Sequence, residues 1–199
     1  MKLYWAPKSR SFRAVWMMEE AGRPYERVLI DIKSGAQSGD AYREINPMMK
    51  VPALADGAVK VAESGALCTY VAESVPEAGL APAIGDPSRG DYLRWMFFSG
   101  SCVEGAFIEK FANVSIPSSS AGWGSFDRVV DVLEQGISTG PWLLGERFSA
   151  ADVMIGSDLY FGVDVFKIIE PRPAFAAYIE RCTARPAFQR AQEIEATGI

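Results

Sequence analysis

The stretch Val51-Pro-Ala-Leu-Ala-Asp-Gly-Ala-Val-Lys-Val61 decides the fold of the first part of the chain. It consists of two short, largely apolar runs, 51–55 and 58–61, on either side of Asp56-Gly57. Asp-Gly is among the dipeptides most favoured in two-residue hairpin turns. We therefore predict a hairpin of two antiparallel strands.

Strand and helix patterns alternate around this hairpin. A helix follows it, since Leu67, Val71 and Val75 recur at four-residue spacing on one face. The other predicted elements are a strand at Lys2–Trp5, a helix at Phe12–Ala21 that Gly22 ends, a strand at Tyr25–Asp31 and a short helix at Asp40–Ile45. The first part is thus α/β, in the order β-α-β-α-β-β-α.

The chain changes character after residue 76. Residues 77–87 are rich in Pro, Gly, Ala and Glu and lack periodicity, which is typical of a linker. Only helical patterns follow, at 91–112, 125–137, 150–165, 174–184 and 187–195, interrupted by a serine- and glycine-rich loop at 115–124. We predict an α/β domain at 1–76, a linker at 77–87 and an all-helical domain at 88–199. Ser149 and Asp152 have the spacing of a capping box, to which we assign a structural role.

Composition excludes several kinds of function. The 199 residues include no histidine, which rules out Ser-His-Asp and Cys-His nucleophiles, a histidine base and histidine-ligated metal sites. We expect no metal. The net charge is −5 without a dense basic stretch, so neither nucleic acid nor a membrane surface is an expected partner. No apolar run is long enough to cross a membrane, and no export signal is apparent.

The three cysteines, Cys68, Cys102 and Cys182, lie far apart and form no CxxC pair. They give no disulfide framework, which favours a reducing, cytoplasmic location. Cys102 has the character of a small buried hydrophobe rather than a nucleophile.

Two segments in the first part could bind an extended ligand. Pro7–Ser11 lies between a strand and a helix start, where the helix dipole favours an anion and a hydroxyl could donate to a thiolate. The alternative is that Ser9 or Ser11 only caps the helix. In Lys50–Leu54, the amide and carbonyl of Val51 could pair with a peptide backbone. A cis bond before Pro52 would turn these groups outward, although base rates favour trans.

A third segment, Glu63-Ser64, begins a helix. Its hydroxyl and amides could receive a ligand carboxylate, and the glutamate could meet an ammonium group, although alone it is a routine N-cap. Together the three segments describe a site for a small, extended, zwitterionic thiol peptide.

The motifs that support a family resemblance are Leu-Tyr-x-x-Pro-x-Ser at 3–9, Met-Glu-Glu-Ala-Gly-x-Pro-Tyr-Glu at 18–26, Asn46-Pro47, Lys50–Leu54, Glu63-Ser64, Phe148–Asp152 and Arg-Pro-Ala-Phe at 172–175 and 185–188. In combination they resemble the bacterial branch of the cytosolic glutathione transferase family over essentially the whole chain. The resemblance implies a thioredoxin-like N-terminal domain and a helical C-terminal domain in a homodimer. It also implies detoxification by conjugating glutathione, the co-substrate, to a small apolar electrophile.

The resemblance also assigns residue roles. It places the family's cis-proline at Pro52, and its serine-type hydroxyl facing the glutathione sulfur at Ser9, with Ser11 as the alternative. The remaining glutathione contacts fall on Lys50, Val51, Glu63 and Ser64. The candidates for the electrophile site are Arg10, Cys102, Phe107 and Phe161.

Two positions depart from the family pattern. Arg10 stands where the cysteine-type members have their thiol, which disfavours a mixed-disulfide mechanism. Met49 stands where the family usually has glycine before Lys50. Two alternative functions remain: glutathione-dependent reduction of peroxides or disulfides at the same site, and a non-catalytic binding or scaffold module.

Overall fold

A computed structural model describes residues 1–198, which form two compact units. One unit comprises residues 1–80 together with the segment that starts at Arg185, and the other comprises residues 81–184. The sequence assigned this last segment to the helical domain, because periodicity identifies a helix but not the surface it packs against. The boundaries at residues 76 and 88 stay predictions.

The first unit contains a four-stranded mixed sheet. Its strands are β1 at Lys2–Trp5, β2 at Glu26–Leu29, β3 at Ala53–Asp56 and β4 at Val59–Ala62. They lie in the order β2-β1-β3-β4, with β1 parallel to β2 and the other two pairings antiparallel. The predicted hairpin is confirmed, but its two-residue turn is Gly57-Ala58, one position later than predicted, because Asp56 still pairs with Val59 at the end of β3. Gly57 provides the positive φ, 59°, at the first turn position.

The α-helices of residues 1–198 are, in chain order, α1 at Ser11–Ala21, α2 at Asp40–Arg43, α3 at Ser64–Ser74, α4 at Arg89–Phe98, α5 at Glu104–Ala112, α6 at Phe126–Ile137, α7 at Ala150–Leu159, α8 at Pro173–Thr183 and α9 at Pro186–Thr197. None of these helices combines the length and the apolar character needed to cross a bilayer.

Side chains of β1 alternate between the two faces of the sheet. Leu3 and Trp5 are fully buried on one face. Tyr4 lies on the other face, where its ring meets that of Tyr42 from α2 edge to face at 5.7 Å. Short helix α2 therefore covers the second face of the sheet beside the start of β3.

Two of the helices predicted for the second unit contain a π-helical turn, which is wider than an α-helical turn. The predicted helix 91–112 is α4 and α5 joined by a π-helical turn, Ser99–Val103, and α7 continues into another at Tyr160–Val165. The spacing of apolar residues does not distinguish such turns from a continuous α-helix. The capping box before α7 is confirmed, since the Ser149 N–H donates to Asp152 Oδ2 at 2.9 Å.

Candidate functional site

The sheet register brings the three candidate segments to one end of the sheet. Tyr4 of β1 pairs with Ala53 of β3, and Ala53 pairs with Ala62 of β4. These three residues form one row, and the chain leaves this row at the end of β1, the start of β3 and the end of β4. Segments 6–11, 50–52 and 63–64 therefore lie at the same end of the sheet.

Hydroxyl groups close the loop between β1 and α1. Ser9 Oγ donates to the carbonyl of Ala6 at 2.7 Å and accepts from the Ser11 N–H at 3.1 Å. Ser11 Oγ accepts from the Ala6 N–H at 3.2 Å and has no exposed surface. Ser9 is only half-buried. Of these two serines, only Ser9 has exposed surface.

The carbonyl of Lys50 is fixed in front of the Val51-Pro52 bond. It accepts from Tyr42 Oη at 2.7 Å and from Asn46 Nδ2 at 2.8 Å. Burial raises the pKa of Tyr42 to about 12, so its hydroxyl remains a donor over the whole neutral range.

The Val51-Pro52 bond is cis, as the family resemblance implied, and the base-rate expectation of a trans bond is wrong. Within residues 1–198, neither the N–H nor the C=O of Val51 takes part in a backbone hydrogen bond. Both groups are therefore available to pair with an extended ligand at this end of the sheet.

Three predicted ligand-binding side chains at this end of the sheet have no polar partner among residues 1–198. Among the residues that the structure describes, the side chains of Lys50, Glu63 and Ser64 make no hydrogen bond or ion pair. Glu63 directly precedes α3, and its φ of 65° is in the left-handed region. The first amides of α3 add the positive end of a helix dipole, which favours a carboxylate.

Met49 adopts the conformation that glycine would adopt more readily. Its φ is 55°, and its N–H donates to the carbonyl of Asn46 at 2.9 Å. A methionine at this φ is less favourable than glycine, but the turn that starts at Asn46 is formed.

The electrophile-site candidates are divided between the two units. Arg10 is exposed on the loop that holds Ser9. Cys102 is half-buried on the π-helical turn Ser99–Val103, with Sγ 3.6 Å from Ser101 Oγ. Phe161 is half-buried on the second π-helical turn, where its ring stacks on that of Phe166 at 5.7 Å. Phe107 is nearly buried, 6% exposed.

Sequence reasoning gave no role to three residues at or next to this site. Tyr42 and Asn46 hold the Lys50 carbonyl, and Glu195 of α9 accepts a hydrogen bond from the Lys8 N–H. The Asn46-Pro47 dipeptide is the signal that could have identified Asn46, because an amide side chain before proline typically organises a turn. No local signal identifies Glu195, since 187 positions separate it from Lys8.

Two family models match the chain. Residues 1–73 match the N-terminal domain of glutathione S-transferase, and residues 116–181 match its C-terminal domain. The first match contains every segment that meets at the described end of the sheet.

Individual proteins are similar over nearly the full length. The chain is 32% identical to BphK, a bacterial glutathione S-transferase solved as a ternary complex, with a TM-score of 0.82 and coverage of 98% and 100% of the two chains. A glutathione transferase homologue from Sulfitobacter, solved with bound glutathione, is 27% identical, with a TM-score of 0.79 and 96% of each chain covered. The curated relative GstA of Escherichia coli O157:H7, a glutathione S-transferase, is 25% identical over 98% of both proteins. With its sheet topology and these matches, the chain belongs to the glutathione S-transferase family.

Proposed function

We propose that the protein joins the sulfur of glutathione to an apolar electrophile, with the Ser9 hydroxyl stabilising the thiolate. The observation that carries this proposal is the half-buried Ser9 in the loop that leads into α1, at the same end of the sheet as Val51, Glu63 and Ser64. Lys50, Val51, Glu63 and Ser64 would bind the tripeptide, and Pro52 would hold Val51 in place.

Ser9 would change its hydrogen bond when the ligand binds. Its proton now goes to the neutral Ala6 carbonyl. A thiolate is a stronger acceptor, because hydrogen bonds to charged groups are worth about 1.5–3 kcal/mol against about 1 kcal/mol for neutral pairs. The ligand sulfur can therefore displace the carbonyl as acceptor.

The free energy needed to ionise the glutathione thiol at neutral pH is modest. A free thiol with a pKa of about 8.5 is only a few per cent ionised at pH 7, and lowering the pKa by about two units requires about 2.7 kcal/mol. The Ser9 hydrogen bond and about 0.3–1 kcal/mol from the helix end supply this amount without histidine. In the reaction, a carbon–sulfur bond forms, the bond to the leaving group breaks with its electron pair, and the thiol proton goes to solvent.

Replacing Ser9 by alanine tests the proposal. Ser9→Ala is expected to lower kcat for conjugation of an aryl halide about 10-fold or more, equivalent to about 1.4 kcal/mol of transition-state stabilisation. The matched control is Ser74→Ala, since Ser74 Oγ also donates to a carbonyl three residues back, Val71 at 2.9 Å, but at the far end of α3. Full activity of Ser9→Ala together with an inactive but folded Ser11→Ala would move the role to Ser11.

The alternative functions predict other outcomes of simple assays. A peroxidase or disulfide reductase converts an organic hydroperoxide or a disulfide while oxidising glutathione, and forms no conjugate. A scaffold module would not bind glutathione at millimolar concentration in a calorimeter. The presence of Ser9, Pro52, Glu63 and Ser64 together argues against a scaffold, because a module without a ligand has no need of this set.

We further propose that the protein acts in detoxification as a cytoplasmic homodimer that takes glutathione as co-substrate and needs no metal. The family resemblance and the reduced, widely separated cysteines support this assignment. Light scattering of the purified protein measures the oligomeric state, and activity after exhaustive chelation tests the metal independence.

A further inference from the structure

The loop that holds Ser9 is tied to the last helix of the chain. The Lys8 N–H donates a hydrogen bond to Glu195 Oε1 in the last turn of α9. Both residues lie in the first unit. The contact is direct, from a carboxylate to the backbone of the residue next to Ser9.

The backbone of Lys8 adopts an unfavourable conformation. Its φ is 56°, in the left-handed region that residues with a Cβ rarely adopt. Pro7 provides no N–H. The hydrogen bonds described for the Ser9 and Ser11 hydroxyls stay within this loop, and the Phe12 N–H donates to the Ser9 carbonyl. The Glu195 carboxylate adds an anchor from a separate element at the position where the backbone is least favourable.

Helix α9 is itself held firmly against α1. The ring of Phe188 meets those of Phe12 and Trp16 edge to face, at 5.1 and 4.9 Å. Arg185 binds Glu20 through two nitrogens, at 2.6 and 2.7 Å. Since α1 begins directly after the Ser9 loop, Glu195 is an acceptor with a fixed position relative to that loop.

The burial of Glu195 indicates that its carboxylate has a specific role. The residue is half-buried, and burial raises the pKa of its carboxyl. Its Oε2 is shielded from solvent and has no partner among the described residues. An unsatisfied carboxylate oxygen is unfavourable, and a helix surface position alone does not require it. The bond to Lys8 offsets part of this penalty.

We propose that Glu195 is a positioning residue for the reaction: it holds the Lys8 backbone and thereby sets the position from which the Ser9 hydroxyl meets the glutathione sulfur. This inference rests on the proposed function of Ser9. Glu195 itself does not touch the ligand in this role. Its effect passes through one peptide unit to the reacting hydroxyl.

The experiment compares Glu195→Ala with Glu195→Gln, which keeps an acceptor oxygen, and with Glu193→Ala, an exposed control on the same helix. The readout is the pKa of the bound glutathione thiol, followed by thiolate absorbance against pH. Glu195→Ala is expected to raise this pKa by about one unit and to lower kcat at pH 7 by about 10-fold. Glu195→Gln and Glu193→Ala are expected to stay within about 2-fold of the parent, a difference below 0.5 kcal/mol.

Two results would overturn the positioning role. One is an unchanged thiol pKa in Glu195→Ala, and the other is an equal loss in Glu195→Gln. Ser9→Ala, measured beside them with glutathione affinity by calorimetry, separates the two claims. If Ser9→Ala shifts the thiol pKa and Glu195→Ala does not, only the positioning role is wrong. If glutathione binds but neither variant shifts the thiol pKa, the role of Ser9 is wrong.

Discussion

The hydroxyl oxygens of Ser9 and Ser11 lie 3.0 Å apart, yet they have different surroundings. Ser11 is fully buried and its Oγ accepts from the buried Ala6 N–H, so this oxygen stabilises the loop. Ser9 is partly exposed, and its proton can change acceptor. The family resemblance named Ser9, with Ser11 as the alternative, but the local sequence could not decide between them, because their burial depends on how the chain folds back onto Ala6.

The cysteine thiols are a second case in which surroundings decide reactivity. Cys68 and Cys182 are fully buried, and burial raises the pKa of Cys68 to about 12. At pH 8 its thiolate fraction is then on the order of 10⁻⁴. An aromatic disulfide reagent is therefore expected to titrate only Cys102 in the native protein and all three thiols in guanidinium.

Cys102→Ser is the control for this thiol titration, since it should abolish the native signal and leave two thiols after unfolding. Labelling of native Cys102→Ser at the parent rate would contradict the expected burial of the other two.

At the scale of an element, segment 46–52 is shaped by donors from outside its strand. Tyr42 and Asn46 both bind the Lys50 carbonyl, and Asn46 Oδ1 also accepts from the Met48 N–H at 3.0 Å. Strand propensity alone predicts where β3 begins. It does not predict how the residues before β3 are turned toward a ligand.

Removing these donors is expected to weaken glutathione binding more than catalysis. Tyr42→Phe removes one hydrogen bond of about 1 kcal/mol, so KM for glutathione should rise about 5-fold while kcat changes little. Asn46→Ala removes two hydrogen bonds and should raise KM further. The measurement is steady-state kinetics with varied glutathione at a saturating electrophile concentration.

Tyr70→Phe is the matched control, since its hydroxyl binds Asp56 at 3.1 Å at the opposite end of the hairpin. An equal rise in KM in Tyr70→Phe would show that the effect of Tyr42 is not specific to Lys50.

The predictable elements are those whose signals are local. The hairpin of β3 and β4, the end of α1 at Gly22 and the capping box at Ser149 each depend on a few adjacent residues, and the structure confirms all three. The cis bond at Pro52 followed only from family resemblance, because local preference favours trans. The π-helical turns and the contact of Glu195 depend on distant packing, which periodicity does not encode.

At the scale of the whole molecule, the last helix completes the first unit. Phe188 is fully buried between rings of α1, and Arg185 and Arg190 bind the adjacent carboxylates Glu20 and Glu19. The pattern at 187–195 correctly predicted a helix. The surface against which it packs could not be predicted, since the buried face of α9, Ala187, Phe188 and Ala191, would fit any apolar surface.

Phe188→Ala is expected to lower the free energy of unfolding by about 3–5 kcal/mol, because it leaves a cavity beside Phe12 and Trp16. Urea denaturation followed by tryptophan fluorescence measures the change. The control is Gln189→Ala, the exposed neighbour on the same helix, which should shift the free energy by less than about 0.5 kcal/mol. A loss in Phe188→Ala as small as in the control would contradict the packing of Phe188 against α1.

The return of α9 to the first unit has a consequence for biosynthesis. A ribosome adding about 5–20 residues per second needs about 5 to 20 s to translate residues 81–184, which lie between the two pieces of one folded body. Throughout this interval Phe12 and Trp16 lack their aromatic partner. The nascent chain is therefore expected to expose an apolar surface on α1 that chaperones cover until α9 has been synthesised. Chains that terminate before α9 should be degraded faster by proteases than the full-length protein.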